Sequence, residues 1–332
     1  MTSSIYSLSI SAKAVLDMHS LNNEGGEGNQ IQTRMVNIVD KKGRLYNVNA
    51  ISGDMFKHIQ AEHFHHISAG HLPLCAGCQR FNANRISADE GFEEYINDSK
   101  VTDAAAIDRL LQSCALDDVA GNLITGGKRS LPRKSVVEFG WVVALPEAHA
   151  TDSYFHVKYA TERSEGRRDA ETTEQARGAN LGQAIFHRPA SSGVYAVVST
   201  VELARIGFND ISQTYAIDHT QRIERYRALV ESLLYTFLQP NGAMRGTQHP
   251  HLVDFTGVLA VSSQVVPAPT LSPLYSPSDD GYRNELESIA SSLNQVRPQA
   301  ISLHRFETLS EFTGIMTDLM QTSEPYRLAY AA

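Results

Sequence analysis

Short apolar runs, separated by polar and glycine-containing stretches, dominate the chain, and only a few segments carry a helical period. "SLSISAKAVL" alternates well enough to predict a first strand, and "NNEGGEGNQ" after it reads as a mobile loop. "TRMVNIVDKKGRLYNVNAI" gives two alternating runs about Lys41 to Gly43, which predicts a hairpin. In "ISGDMFKHIQAEHFHHI" the residues Met55, Phe56, Ile59 and His63 recur on one helical face, with Ser52 as N-cap and Gly53 allowing a close approach of backbone or ligand. From His71 to about Asn122 the chain is polar and Ala-rich, and "AAAIDRLLQSCAL" predicts a helix inside an inserted lobe. "SVVEFGWVVAL" then reads as a buried strand.

"SYFHVKYA" and "QAIFHRP" predict a strand and its return. Between them "TERSEGRRDAETTEQARGANLG" has almost nothing to bury and predicts a flexible hairpin tip. "GVYAVVSTVEL" is another strand. The strongest helical pattern is "HTQRIERYRALVESLLYTFL", whose stripe is Ile223, Leu229 or Val230, Leu233, Leu234 and Phe237, stopped by Pro240, Asn241 and Gly242. "FTGVLAVSS" supplies a last core strand, the Pro-rich "VVPAPTLSPLYSPSDDG" a linker or surface crossing, and residues 284 to 320 two closing helices. Without the insertions the order is strand, helix, strand, strand, helix, strand. That predicts an α+β chain of the ferredoxin-like, RNA-recognition-motif type. Aromatic motifs for stacking bases on such a sheet are not evident on these strands, and the fold alone assigns no function.

With 332 residues and 42% hydrophobic content the chain can bury a full core. No apolar run reaches the length of a membrane span, so the expectation is a soluble, cytoplasmic protein without a membrane partner. Cys75, Cys78 and Cys114 are too few for a disulfide framework. The net charge of -8 argues at first against nucleic acid, but the charges are segregated. Residues 119 to 137 hold no acid and carry Lys128, Arg129, Arg133 and Lys134; residues 232 to 253 hold no acid and carry Arg245. A basic groove on an acidic body is compatible with this pattern, as is a solvated basic loop.

Three constellations carry candidate chemistry. The start of the Ser52 helix offers unpaired amides and the positive end of the helix dipole beside Lys57 and His58, which suits a phosphate; an ordinary amphipathic helix with a solvated lysine is the alternative. "NGAMRGTQHPH" combines two glycines with Arg245, Thr247 and Gln248, again suited to a phosphate or, alternatively, a simple turn. "HLPLCAGC" places His71, Cys75 and Cys78 at a spacing that can close on structural zinc with Cys114 as fourth ligand, although a lone CxxC is weak evidence. A metal-dependent ribonuclease would need carboxylates, for which Asp17, Asp54, Asp117 and Asp118 qualify by type alone. "GGEG" and "TGGKRS" lack P-loop spacing and context.

Several blocks, from "SLSISAKAVLDMHSLNNEGGEGNQIQTRMVNIV" through "ISGDMFKHI", "SVVEFGWVVALPE" and "FHVKYATERS" to "LQPNGAMRGTQHPHLVDFTGVLAVS", resemble the backbone subunit of type I CRISPR effector complexes. This is the Cas-seven family, in the branch named after the developmental autoregulator DevR, and the likeness runs in order from Ser7 to Ser262. It implies a noncatalytic scaffold from type I-B or a close relative. The resemblance divides the chain into a palm at 1–70, an inserted helical web at 71–124, palm strands at 125–156, a thumb hairpin at 157–190, the rest of the palm at 191–265 and a C-terminal linker with helices at 266–332. Implied partners are CRISPR RNA, target DNA through guide pairing, head-to-tail copies of the chain and other Cascade subunits. Implied RNA-binding residues are Asn22, Asn23, Arg34, Ser52, Gly53, Lys57, His58, Lys128, Arg129, Arg163, Arg245, Gly246, Thr247 and Gln248. A guide must keep its base edges free, so such a subunit grips sugar and phosphate without reading sequence.

Overall fold

The computed structural model describes residues 3–22, 25–27, 30–159, 183–242, 249–274 and 281–329. Its main sheet contains β1 (Ser7–His19), β2 (Met35–Val39), β3 (Leu45–Ile51), β4 (Val137–Phe139), β5 (Val142–Tyr159), β6 (Gln183–Val201), β7 (His251–Ser262) and β8 (Ile301–Phe306). The spatial order is β8-β7-β1-β6-β5-β3-β2, with β4 also on β6, and all these pairs are antiparallel. Helices α1 (Gly53–Ser68) and α6 (His219–Leu238) interrupt the central strands to give the succession β1-α1-β5-β6-α6-β7. In space the four central strands lie fourth, first, third, second.

Strand alternation decides which face each side chain meets. Leu8, Ile10, Ala12, Ala14 and Leu16 of β1 enter the main core with Phe56, Ile59 and Phe64 of α1 and Leu229, Leu233 and Phe237 of α6. Phe237 stacks on Phe255 of β7 at 4.6 Å between ring centres, and Gln60 donates to the Ser232 hydroxyl at 2.7 Å across the two helices. The opposite face of β1 is polar, yet it is buried too. The Ser7 hydroxyl accepts from the Ala268 amide at 3.1 Å, Ser9 donates to the Pro269 carbonyl at 2.6 Å, and Ser11 accepts from the Leu271 amide at 3.1 Å. The Pro-rich segment thus lies on the sheet, and Tyr282 and Leu286 of α7 (Gly281–Val296) pack beside it against Val258.

The predicted hairpin is β2-β3, closed by the Asp40 carboxylate accepting from the Lys42 and Arg44 amides, each at 2.8 Å. Two expectations need correction. "SVVEFGWVVAL" is two strands, because the chain breaks at Gly140, whose amide donates to the Val198 carbonyl at 2.9 Å. The C-terminal part is helix, strand, helix: β8 stands between α7 and α8 (Leu309–Thr322) and extends the sheet beyond β7. Six residues between two longer helical patterns gave too short a window for period 2 to assert itself.

The insertion is helical, with α2 (Ala76–Gln79), α3 (Glu90–Asn97), α4 (Asp103–Ser113) and α5 (Ala115–Ala120). Its hydrophobic residues Ile86, Phe92, Ile96, Leu110 and Leu111 join the main core. The lobe is fastened by a buried ion cluster. Both oxygens of Asp118 on α5 are occupied, Oδ1 by Arg133 and Oδ2 by Arg225 of α6, each at 2.7 Å with all three side chains fully buried. The Gly207 amide donates to the same carboxylate. Breaking such a pair on one side leaves uncompensated buried charge, here the Arg225 guanidinium, since Arg133 keeps a second carboxylate, Asp210, at 3.4 Å. Asp118→Asn is therefore expected to lower unfolding free energy by about 3–5 kcal/mol, measured by denaturant titration.

Candidate nucleic-acid interface

Ser52 caps α1: its hydroxyl accepts from the Met55 amide at 3.2 Å, and its own amide donates to Asn22 Oδ1 at 3.0 Å. Asn22 also donates to the Ala50 carbonyl at 2.8 Å, so both ends of its buried amide hold the β3-to-α1 corner. Gly53 is required by backbone. A Cβ there would lie 2.3 Å from the Phe139 carbonyl and 3.1 Å from that of Gly140, so β4 and the break after it fit directly against the helix start. Ser52, Gly53 and Asn22 thereby set the start of α1 against β3 and β4.

Lys57 and His58, one turn on, face outward. They line a cleft of about 400 Å³ with Asp54, Phe81, Asn82 and Arg85, between α1 and the insertion. Burial pushes the Lys57 ammonium below its usual value, and neighbouring Glu138 partly offsets this. The His58 ring lies 5.6 Å from that of Phe81. Arg85 is held by its bond to the Gly121 carbonyl at 2.7 Å, which aims one wall of the cleft. Nothing in the local pattern of "NANRISAD" singled out Arg85; only the return of the insertion onto α1 does.

At the helix start stands a second pair. The Arg34 guanidinium lies over the Trp141 ring at 5.6 Å, and Trp141 directly precedes Val142, which pairs with Ile51. Trp141 is the chain's single tryptophan and is 48% exposed, so its ring is open to solvent beside the Arg34 guanidinium. The sequence held a signal in that lone Trp after a glycine, but reading the run as one buried strand concealed it. Below this corner runs a buried chain of hydrogen bonds: His19 to Tyr195 at 2.7 Å, Tyr195 to Asn49 at 2.8 Å, and Asn49 to Thr33 at 2.8 Å.

The remaining candidates are dispersed. Lys128 is exposed with φ of 60°, in the turn after Gly127. Arg129 is engaged internally, bonding Asp103 and the Val101 carbonyl, both at 2.5 Å, and the Ile96 carbonyl at 3.3 Å, which knits the turn to α3 and α4. Asn23, Arg163, Arg245, Gly246, Thr247 and Gln248 lie outside the described residues. β5 and β6 stay paired out to Tyr159 and Gln183, the positions flanking the tip segment.

Among the described residues the group able to hold a metal is Cys75, Cys78, Cys114 and Asp117. His71 of the expected His-Cys-Cys-Cys set is exposed and lies outside this group, and Asp117 stands beside the three cysteines instead. Burial, reinforced by Cys114, pushes the Asp117 carboxyl up to about 7. Hydrogen bonds from Cys114 and then Cys78 hold the Cys75 thiol down to about 5, while hydrogen bonds with Cys114 and then Cys75 raise Cys78. Of the four aspartates considered for nuclease chemistry, Asp117 and Asp118 are fully buried.

The chain is a CRISPR-associated protein. It belongs to the family described as CRISPR-associated negative auto-regulator DevR/Csa2, whose model matches residues 10–286. Among solved structures, a chain of a "CRISPR RNA-guided surveillance complex, pre-nicking" is 14% identical, with coverage of 98% of this chain and 97% of that one and a TM-score of 0.49. A chain of another "CRISPR RNA-guided surveillance complex" is 14% identical over 97% and 95%, with a TM-score of 0.42. Csc2 of Thermofilum pendens is 12% identical over 95% and 85%, with a TM-score of 0.34. No curated protein matches the chain. Among the described residues no helix is long and apolar enough to cross a membrane.

Burial drives the His19 imidazole down to about 4. Its unfolded value is about 6.5, so between those values the unfolded chain binds a proton that the native state refuses, and stability falls as the pH is lowered. The window corresponds to about 3 kcal/mol. Urea titrations from pH 7 to 4 are expected to show this loss in the wild type and a shallower one in His19→Gln, the difference isolating this residue from other histidines.

Proposed function

We propose that the protein is a noncatalytic scaffold that binds CRISPR RNA through sugar and phosphate and polymerises head to tail along it as the backbone of a type I effector complex. The observation that carries this reading is the cleft at α1, where Lys57, His58 and Arg85 converge on one concave strip beside a helix start. That is a sequence-blind phosphate grip. Family membership makes a CRISPR RNA the natural strand. The Arg34–Trp141 pair adds a cation and an exposed ring for a sugar or base without an edge to read it by.

The strand order fourth, first, third, second with two intervening helices supports a modified RNA-recognition-motif palm. On such a palm the outer sheet face is where bases stack, and here the Pro-rich segment and α7 lie over the Ser7, Ser9 and Ser11 face instead. Binding from the α1 edge leaves the guide's bases outward to pair with target DNA. The paired extension of β5 and β6 supports a thumb, and Tyr154 and Phe155, exposed on it, suit contact with the strand or with the next copy. Heterologous contacts between copies build an open filament rather than a closed ring, and other Cascade subunits would cap its ends. Cytoplasmic residence follows from such a role.

A ribonuclease would need exposed carboxylates gathered around a metal. Asp117 and Asp118 are buried, and Asp118 is taken up by two arginines, which favours the scaffold reading.

Lys57→Gln combined with Arg34→Ala is expected to weaken binding of two unrelated single-stranded RNAs by the same factor. The slope of log affinity against log salt should become shallower by about 0.7 for each phosphate that the protein no longer neutralises. Weakening confined to one RNA would mean base readout.

A further inference from the structure

We propose that Cys75, Cys78, Cys114 and Asp117 form a structural zinc site that closes the inserted lobe. The four ligand atoms lie within 4.8 Å of one another and all four residues are buried. A tetrahedral zinc, with bonds of about 2.3 Å to sulfur and 2.0 Å to oxygen, holds its ligand atoms about 3.5–3.8 Å apart. Asp117 Oδ2 is already 3.5 Å from Cys75 Sγ and 3.3 Å from Cys78 Sγ. An iron–sulfur cubane would hold its thiolates farther apart than this group allows.

The ligands come in two matching halves, Cys75-x-x-Cys78 and Cys114-x-x-Asp117. In each half the first sulfur caps a short helix and accepts an amide from the residue three positions on: Cys78 N to Cys75 Sγ at 3.3 Å, Asp117 N to Cys114 Sγ at 3.4 Å. Such N–H···S bonds stabilise thiolate charge, the form a metal requires. Gly77, between the first two cysteines, has the Arg85 carbonyl where a Cβ would sit, 1.8 Å away, so the knuckle folds back tightly.

Beyond the ligands, Asn122 donates to Asp117 Oδ1 at 2.7 Å and leaves Oδ2 turned to the sulfurs, the orientation a monodentate carboxylate ligand needs. Without a cation, the Cys75 and Cys78 thiols donate to Asp117 Oδ2. Zinc would take the place of those protons and cross-link two stretches of the insertion, 42 residues apart between Cys75 and Asp117. This inference stands independently of the RNA-binding reading.

The test is metal analysis of the full chain purified without chelator from zinc-supplemented cells. Wild type and His71→Ala are both expected to carry about one zinc per chain. Asp117→Cys should keep the ion, and Asn122→Ala should weaken it about 10–100-fold in competition with a chelator. Cobalt exchanged into the wild type should give the intense visible bands of a tetrahedral site with thiolate charge transfer. Folded wild-type protein with only trace zinc and a weak octahedral cobalt spectrum would overturn the site. Loss of zinc in a folded His71→Ala variant would overturn this ligand set.

Discussion

The Asp118 carboxylate, held between Arg133 and Arg225, is the contact on which the rest of the architecture depends. It joins the last helix of the insertion, the strand that leaves it and the longest helix of the palm in one fully buried site. The two cations share Asp118, and Arg133 also reaches the half-exposed Asp210 at 3.4 Å. The Leu111 carbonyl accepts from Arg225, and the Phe208 and Arg205 carbonyls accept from Arg133, so backbone dipoles add to the two carboxylates. The cluster ties the lobe to the strand and the helix beside it, and the cleft beside Lys57 lies between that lobe and α1.

Buried polar groups are also where sequence reading fell short. The stripe on α6 was legible from Leu229, Leu233, Leu234 and Phe237, and all four are buried. Ile223 is only partly buried, whereas Arg222 and Arg225 are fully buried. Nothing local in "TQRIERYRAL" tells a buried arginine from a solvated one, since the partner is 107 positions away. The serines of β1 are similar. The alternation of the strand does not show that they are covered by a segment about 260 residues later.

At the candidate interface, local chemistry was legible and long-range chemistry was not. Ser52 is the N-cap and Met55, Phe56, Ile59 and His63 share the buried face, as helix rules predict. Gly53 makes room for the Phe139 carbonyl, and Asn22 braces the corner. Arg85 and Trp141 needed the fold to reveal them. Spacing groups His71 with Cys75 and Cys78, with Cys114 as the fourth member, but the group that comes together holds Asp117 in place of His71, and an aspartate three positions after a cysteine carries no CxxC signature.

The central claim is that the protein is a scaffold repeating along RNA. Native mass spectrometry of the protein with single-stranded RNAs of increasing length tests it most directly. Stepwise growth in the number of copies with RNA length, with the RNA intact, is the predicted result; one copy at every length, or metal-dependent shortening of the RNA, would contradict it.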